Sequence, residues 1–389
     1  MKKLNLVICL LLVTVISVSA QQKGFPKLSF DNTGQKSVSL TSEYFEDTID
    51  VITIQKANEI ANRIMIIDCH SHNLFQPGSG EKPKQVSFSM LKESGVKGIV
   101  QTFPLDFNSV KNPSEDILNN IRETRGRIKD ELLQVSLALG SKDFIAPKSD
   151  GSLILMLSVE YFRGIFEGNV EMLEKYHKEG VREIGLVEIG GLDTIYVNDS
   201  LTKFGNELIN EINRLGIICD ITHLSESAQI KIIETSKAPV ILSHTNSRGV
   251  VNSDFNATDS TLKSHTSKGG ITCVTFTAEQ VSEKANIEAS KMRASKSVDM
   301  KKIPKTSIQE LINHIDYLKR TIGIDYIGIG SDYGGSGRFA PEGLETIEGF
   351  PLIIYHLLKR GYTENEIEKV MGLNFIRFYE RVEKIAASK

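Results

Sequence analysis

Residues 217–246 read IICDITHLSESAQIKIIETSKAPVILSHTN. Two short apolar runs, 217–222 and 239–243, each end in a histidine, His223 and His244. The polar segment between them, 226–237, suits a helix. Strand, helix and strand in succession form a βαβ unit, whose strands run parallel. Parallel strands present their chemistry at their C-terminal ends. The spacing therefore predicts His223 and His244 on one rim, facing one pocket.

Working outward, the same unit recurs. Apolar runs lie at 64–69, 96–100, 153–159 and 181–187 before this stretch, and at 271–276 and 326–331 after it. Helix-compatible segments separate them, including 112–140, 170–178, 204–215, 258–268 and 307–322, with Gly216 placed to stop one helix in a left-handed turn. Residues 278–305 are charged and aperiodic, and 351–359 and 364–385 close the chain as helices. Eight runs alternating with helices, with no glycine-rich phosphate loop after the first, predict an α/β fold of the (β/α)8 type. It carries an N-terminal extension and C-terminal helices.

The residues ending these runs form a set. The first gives His70 and His72, the third Glu160, the fourth Glu188, the fifth His223, the sixth His244 and the eighth Asp332. In a barrel these positions ring one mouth. Imidazoles and carboxylates converging there suit a borderline divalent metal, with zinc the first expectation. A carboxylate among several histidines suits a bridge between two ions. His70 and His72, two apart on an extended strand, point to one side. Taken singly, each residue has a plainer reading: a loop histidine, an acid beginning a helix, a turn aspartate. Their shared position at one end of a repeating unit favours the site. His177, His265, His314 and His356 fall elsewhere and read as surface residues.

The ends and the composition set further bounds. Lys2 and Lys3, an apolar run to Val18, and Val18-Ser19-Ala20 read as a signal peptide over 1–20, which predicts a periplasmic or secreted protein. Residues 21–63 read as an extension, irregular up to Glu46 and helical from Tyr44 to Arg63, and 64–389 as the barrel. The net charge is −3 with mixed signs, which gives no expectation of nucleic acid or of a membrane span after the signal. The expected partner is a small-molecule or peptide-like substrate, and a homodimer is compatible with the sequence. Cys69, Cys219 and Cys273 are too few and too strand-bound for a disulfide framework. Cys69 is expected to face away from the pocket and Cys219 to share the face of His223.

From Gly180 onward the sequence resembles the membrane (renal) dipeptidase family of binuclear zinc metallopeptidases, among the amidohydrolase-like barrels. The resembling stretches are GVREIGLVE (180–188), LTKFGNELINEINRLGIICDITHLS (201–225), APVILSHTNSRGV (238–250), IGIGSDYGG (327–335), APEGLE (340–345) and RGYTENEIEKVMGLNFIR (360–377). IDCHSHN (67–73) and LSVE (157–160) match more weakly. The resemblance implies metal ligands at His70, Glu160, His223 and His244, with Glu160 bridging, and a proton-handling role for Asp332. Three departures stand out. His72 replaces an aspartate ligand. Glu188 replaces a histidine that contacts the substrate. Phe255 stands where the family's carboxylate-binding arginine is expected, leaving Arg248 as a nearby guanidinium. The glycines expected after Glu160 are Tyr161 and Phe162. The expectation is a hydrolase with two zinc ions, cleaving an amide bond in a substrate other than a free dipeptide. The alternatives are a catalytically idle, ligand-binding barrel, and an esterase or lactonase using the same site.

Overall fold

The structure is a computed structural model, and it describes residues 27–30, 36–39, 51–72, 74, 85–103, 112–129, 134–145, 152–160, 164–186, 194–295, 299, 302–335 and 339–388. The signal segment, Glu188, Tyr161 and Phe162 lie outside these residues.

Eight parallel strands succeed one another around the sheet: β1 Ile66–Ser71, β2 Val96–Phe103, β3 Leu153–Glu160, β4 Val181–Gly185, β5 Ile218–Asp220, β6 Ile241–Leu242, β7 Ile271–Val274 and β8 Ile327–Ile329. All eight sequence runs are strands, in the expected order. The sheet is nearly closed, because β1 and β8 meet just beyond their ends. Asp332 donates its N–H to the His70 carbonyl at 2.9 Å, and His72 donates to the Tyr333 carbonyl at 2.7 Å. Across this seam the buried Asp68 accepts from the Ser331 N–H at 2.8 Å and the Ser331 hydroxyl at 2.6 Å.

Apolar side chains fill two layers. The outer layer packs Ile66, Ile99, Leu155, Ile184, Leu242 and Val274 against the surrounding helices. The inner layer lies within the sheet and gathers Ile67, Val100, Ile154, Met156, Ile218, Ile241 and Ile271. The helix Asn374–Ala387 closes its floor with Phe375, Phe378, Tyr379 and Val382. Helix ends follow the sequence signals. Gly216 terminates Lys203–Leu215 in the left-handed region, at φ 68°. Ser307 and Glu310 form a reciprocal capping box before Ile308–Ile322.

Some expectations are corrected. The helix expected over 112–140 ends at Ile128, and Val135–Leu137 is a ninth strand beside the first half of β3. Residues 27–30 and 36–39 pair as an antiparallel hairpin where irregular chain was expected. The helix Val51–Arg63 of the expected extension packs Ile54, Ala57, Ile60 and Ala61 into the outer layer. His265, His314 and His356 are buried, so these three are core residues. The three described cysteines are free and buried, which agrees with the absence of a disulfide framework. Their faces are the reverse of the expectation, with Cys69 in the inner layer and Cys219 in the outer one. The two-residue alternation used to place them is broken, by a register shift between Asp68 and Ser71 and by the turn that follows Asp220.

Among the described residues, no helix is long and apolar enough to cross a membrane.

Candidate metal centre

Each candidate donor stands at, or just past, the C-terminal end of a strand. His70 and His72 leave β1, Glu160 ends β3, and His223, His244 and Asp332 follow β5, β6 and β8. Two of them need an unusual backbone. His223 has φ 69° and Asp332 φ 59°, in the left-handed region that side chains rarely adopt. Such a turn costs on the order of 1 kcal/mol, and it ends the strand abruptly at the mouth. At Gly335 a Cβ would come within 2.1 Å of Asp332 Oδ1, so the chain after the aspartate can pass this closely only as glycine.

The structure brings together six of the residues expected from the sequence. His70 Nε2 lies 3.1 Å from His72 Nε2, and His223 Nε2 lies 2.7 Å from His244 Nε2. Glu160 spans the two pairs. Its Oε2 is 3.4 Å from His72 Nε2 and 3.9 Å from His70 Nε2. Its Oε1 is 3.1 Å from His223 Nε2 and 3.9 Å from His244 Nε2. Asp332 Oδ1 is 3.3 Å from His72 Nε2, and its Oδ2 accepts from the Thr277 hydroxyl at 3.2 Å. All are buried except His223, whose side chain is 33% exposed.

The electrostatics follow from this crowding. Burial alone raises the Glu160 carboxyl. The His223 hydrogen bond and the neighbouring imidazole charges outweigh it, and hold the group well below the carboxylate range. Burial, reinforced by His244 and His72, pushes His70 well below the usual histidine range, and burial with His223 lowers His244. His72 and His223 go the other way. Burial opposes their charge, but Asp332 and Glu160 for His72, and Glu160 for His223, raise both. Each pair thus holds one ring that takes a proton readily and one that resists it.

This donor set fits metal ions. Four imidazole nitrogens are aimed at one another with few protons to share, and one carboxylate offers an oxygen to each pair. His70, His72 and Asp332 form one group with ligand atoms within 4.8 Å, and Glu160, His223 and His244 form another. The distances suit divalent cations bound by nitrogen and oxygen.

Beneath these donors lie acids that the sequence reading passed over. Asp220 ends β5 and accepts from Thr222 N–H and hydroxyl, and from Ser243 N–H and hydroxyl. Burial pushes Asp68 up to about 7 against its bonds from Ser331. Burial and the Asp220 charge raise Glu183 well above the carboxylate range, although Ser158 donates to it. The signal was present in the sequence: an acid inside a strand that is otherwise apolar on both faces has to be paired or neutral.

Of the remaining candidates, Phe255 is 43% exposed, with the Arg293 guanidinium 5.2 Å from its ring centre. Its carbonyl accepts from the Thr245 hydroxyl, next to His244. Arg248 turns back on its own loop and donates to the Ser253 and Asp254 carbonyls.

A parallel barrel with this cluster at its mouth defines the class of metal-dependent hydrolase barrels. The chain belongs to the membrane dipeptidase family (peptidase family M19), whose profile matches residues 54–389. It is 33% identical to human dipeptidase 3 over 192 residues, 49% of this chain and 35% of that protein. It is 28% identical to dipeptidase tcpJ of Claviceps purpurea over 227 residues, 56% of this chain and 48% of that one. The matched stretch thus covers half or less of these relatives' own lengths. Solved structures also share the fold. The probable dipeptidase PvdM from Pseudomonas aeruginosa superposes with TM-score 0.73 at 20% identity, over 86% of this chain and 99% of that one. A metallo peptidase from Rhodobacter sphaeroides, liganded with a phosphinate mimic of the dipeptide L-Ala-D-Ala, gives 0.66 at 20% identity, over 82% and 99%.

Proposed function

We propose that this protein is a metal-dependent hydrolase of an amide bond in a small, dipeptide-like substrate. The observation that carries the reading is the placement of Glu160, with one carboxylate oxygen turned to each histidine pair. His70, His72 and Glu160 would hold one zinc ion, and Glu160, His223 and His244 a second. Bound there, the ions would supply Lewis acidity and a water acidified toward neutrality. The protein's own groups do the rest. Asp332, fixed between His72 and the Thr277 hydroxyl, takes the proton of the attacking water and returns it to the leaving amine as the C–N bond breaks. His223, the most open donor, faces the side from which substrate enters. The chain is read as exported, with residues 1–20 removed and the helix Val51–Arg63 packed on a barrel domain occupying 64–389.

The substrate reading adds Phe255 and Glu188. Phe255 offers no guanidinium to a free carboxylate, and Arg248 commits its Nε–H and an Nη2–H to its own loop. A dipeptide carboxylate left without a partner must keep its water or lose several kcal/mol. We therefore read the preferred substrate as one with a blocked or absent carboxylate, and Glu188 as adding negative charge near the scissile bond.

The test is metal analysis of purified protein followed by hydrolysis of dipeptides, their amides and matched esters, with and without a chelator. About two zinc ions per chain, with amide cleavage lost on chelation and restored by zinc, is the expected result. A metal-free protein, or cleavage indifferent to chelation, would overturn the reading. Asp332→Asn should retain zinc and lose at least about 100-fold in kcat, since it removes a base and keeps the shape. Unchanged turnover would reject its role.

A further inference from the structure

We infer that Ser243, anchored by Asp220, is a positioning residue that orients an imidazole in each of the two histidine pairs through a single hydroxyl. The inference rests on the metal reading proposed above.

Ser243 Oγ lies 2.6 Å from Asp220 Oδ2, 2.7 Å from His244 Nδ1 and 3.2 Å from His70 Nδ1. Asp220 is surrounded by donors. Thr222 N–H (3.0 Å), Thr222 hydroxyl (2.7 Å) and Ser243 N–H (3.2 Å) all reach its Oδ1. It therefore acts as an acceptor toward Ser243 as well, and the serine's only proton goes to it. A hydroxyl has one proton and two lone pairs. Both lone pairs are then left to accept, one from His244 Nδ1–H and one from His70 Nδ1–H. Every capacity of the hydroxyl is used, in a site that is almost fully buried.

The consequence falls on the opposite side of each ring. A neutral imidazole protonated on Nδ1 carries its lone pair on Nε2, the atom that points at the centre. The His70 and His244 rings stack at 3.8 Å between centroids, so one hydroxyl reaches both edges. His70 belongs to one donor group and His244 to another. Ser243 thus links the two metal positions without touching either. Asp220 also lies close enough to these two rings to form a third candidate ligand group. The donors already directed at it argue for a supporting part. Thr102 supplies a contrast, because its hydroxyl is 3.4 Å from His70 Nδ1 and serves that ring alone.

Supporting partners of this kind typically tune metal affinity by about 10–100-fold. Zinc affinity should be measured by competition with a chromophoric chelator, alongside ring 15N spectra of histidine-labelled protein. Ser243→Ala should weaken both positions together by that factor and remove the Nδ1–H form of His70 and His244. Ser243→Thr, which keeps the hydroxyl, should restore both readouts. Thr102→Ala should move one position only. Asp220→Asn should lower both readouts too, because its amide either donates to Ser243 Oγ and takes a lone pair meant for an imidazole, or turns its NH2 against the Thr222 and Ser243 N–H donors. Two affinities within about threefold of wild type in Ser243→Ala, or a change confined to one, would overturn the inference. The ring spectra decide the matter without metal too. A wild type that binds no zinc defeats the metal reading, while loss of both Nδ1–H forms in metal-free Ser243→Ala would still support the positioning role. Unchanged spectra there would sink it.

Discussion

At the scale of single residues, the site combines groups that compete for few protons, and each has a stated partner. Phe255 is the residue where specificity can be tested most directly. Phe255→Arg would place a guanidinium at the exposed edge of the loop that follows His244. A charge-assisted contact there is worth about 1.5–3 kcal/mol, so kcat/KM for a free dipeptide relative to its amide should rise about 10-fold or more. A wild type already preferring the free dipeptide tenfold would remove the basis for this expectation. His314 tests burial in another way. Its Nδ1 accepts the Ser247 N–H at 3.3 Å and its Nε2 faces the Val281 carbonyl at 3.3 Å, so the fold needs the neutral ring. Burial pushes it down to about 4, from the ordinary 6.5. Between those values the unfolded chain binds the extra proton. The contribution is therefore complete above pH 6.5 and is lost as pH falls toward 4, the loss amounting to about 2 kcal/mol at pH 5. Urea unfolding of chelator-treated protein at pH 7.5 and 5 should show a smaller acid loss in His314→Gln than in wild type. The chemical donors were legible in the sequence because each ends an apolar run. Ser243 was not legible, because its importance lies in what it holds and no spacing rule announces a supporting contact, whereas Asp220 showed only as an acid inside an apolar run.

At the scale of elements, the eight runs were legible and their limits were not. β5, β6 and β8 are three, two and three residues long, although the apolar runs that signal them are longer. The mouth explains the difference. His223 and Asp332 leave the extended conformation at once, and apolar residues such as Ile221 continue into the turn. Val135–Leu137 was hidden because a short strand at the edge of a helical pattern has too few residues to show its own period. The join between the helix Asp259–Ser267 and β7 offers a sharp test. Gly270 N–H bonds the His265 carbonyl, and a Cβ on Gly270 would meet His265 Nε2 at 2.3 Å. That ring is fixed by the Val240 carbonyl at 2.8 Å, so it has no easy retreat. Gly270→Ala should destabilise the protein by about 1–3 kcal/mol in urea unfolding. A variant as stable as wild type would show that the ring can move.

At the scale of the whole molecule, the barrel is built from both ends of its chain. The helix Asn374–Ala387 closes the floor, and Phe378 is fully buried there against Phe375. Phe378→Ala should cost about 3–5 kcal/mol of stability, measured by urea unfolding, while zinc content per folded chain stays unchanged. A simultaneous loss of metal would mean that the floor shapes the mouth as well. The sequence showed a closing helix but not its place under the barrel, since that depends on distant strands meeting. The seam between β1 and β8 carries this further, into the order in which the molecule comes into being. Asp68 and Ser331, bonded across it, are 263 positions apart. A polypeptide emerges from the ribosome N-terminus first, so Glu160, His223 and His244 are all present before β8 exists. Asp332 follows His244 by about 90 residues, roughly ten seconds of elongation. The trio on the His223 side can assemble early, whereas the grouping of His70, His72 and Asp332 must wait for the final strand to dock. The site therefore closes from the His223 side, and its last donor arrives only when the two ends of the barrel join.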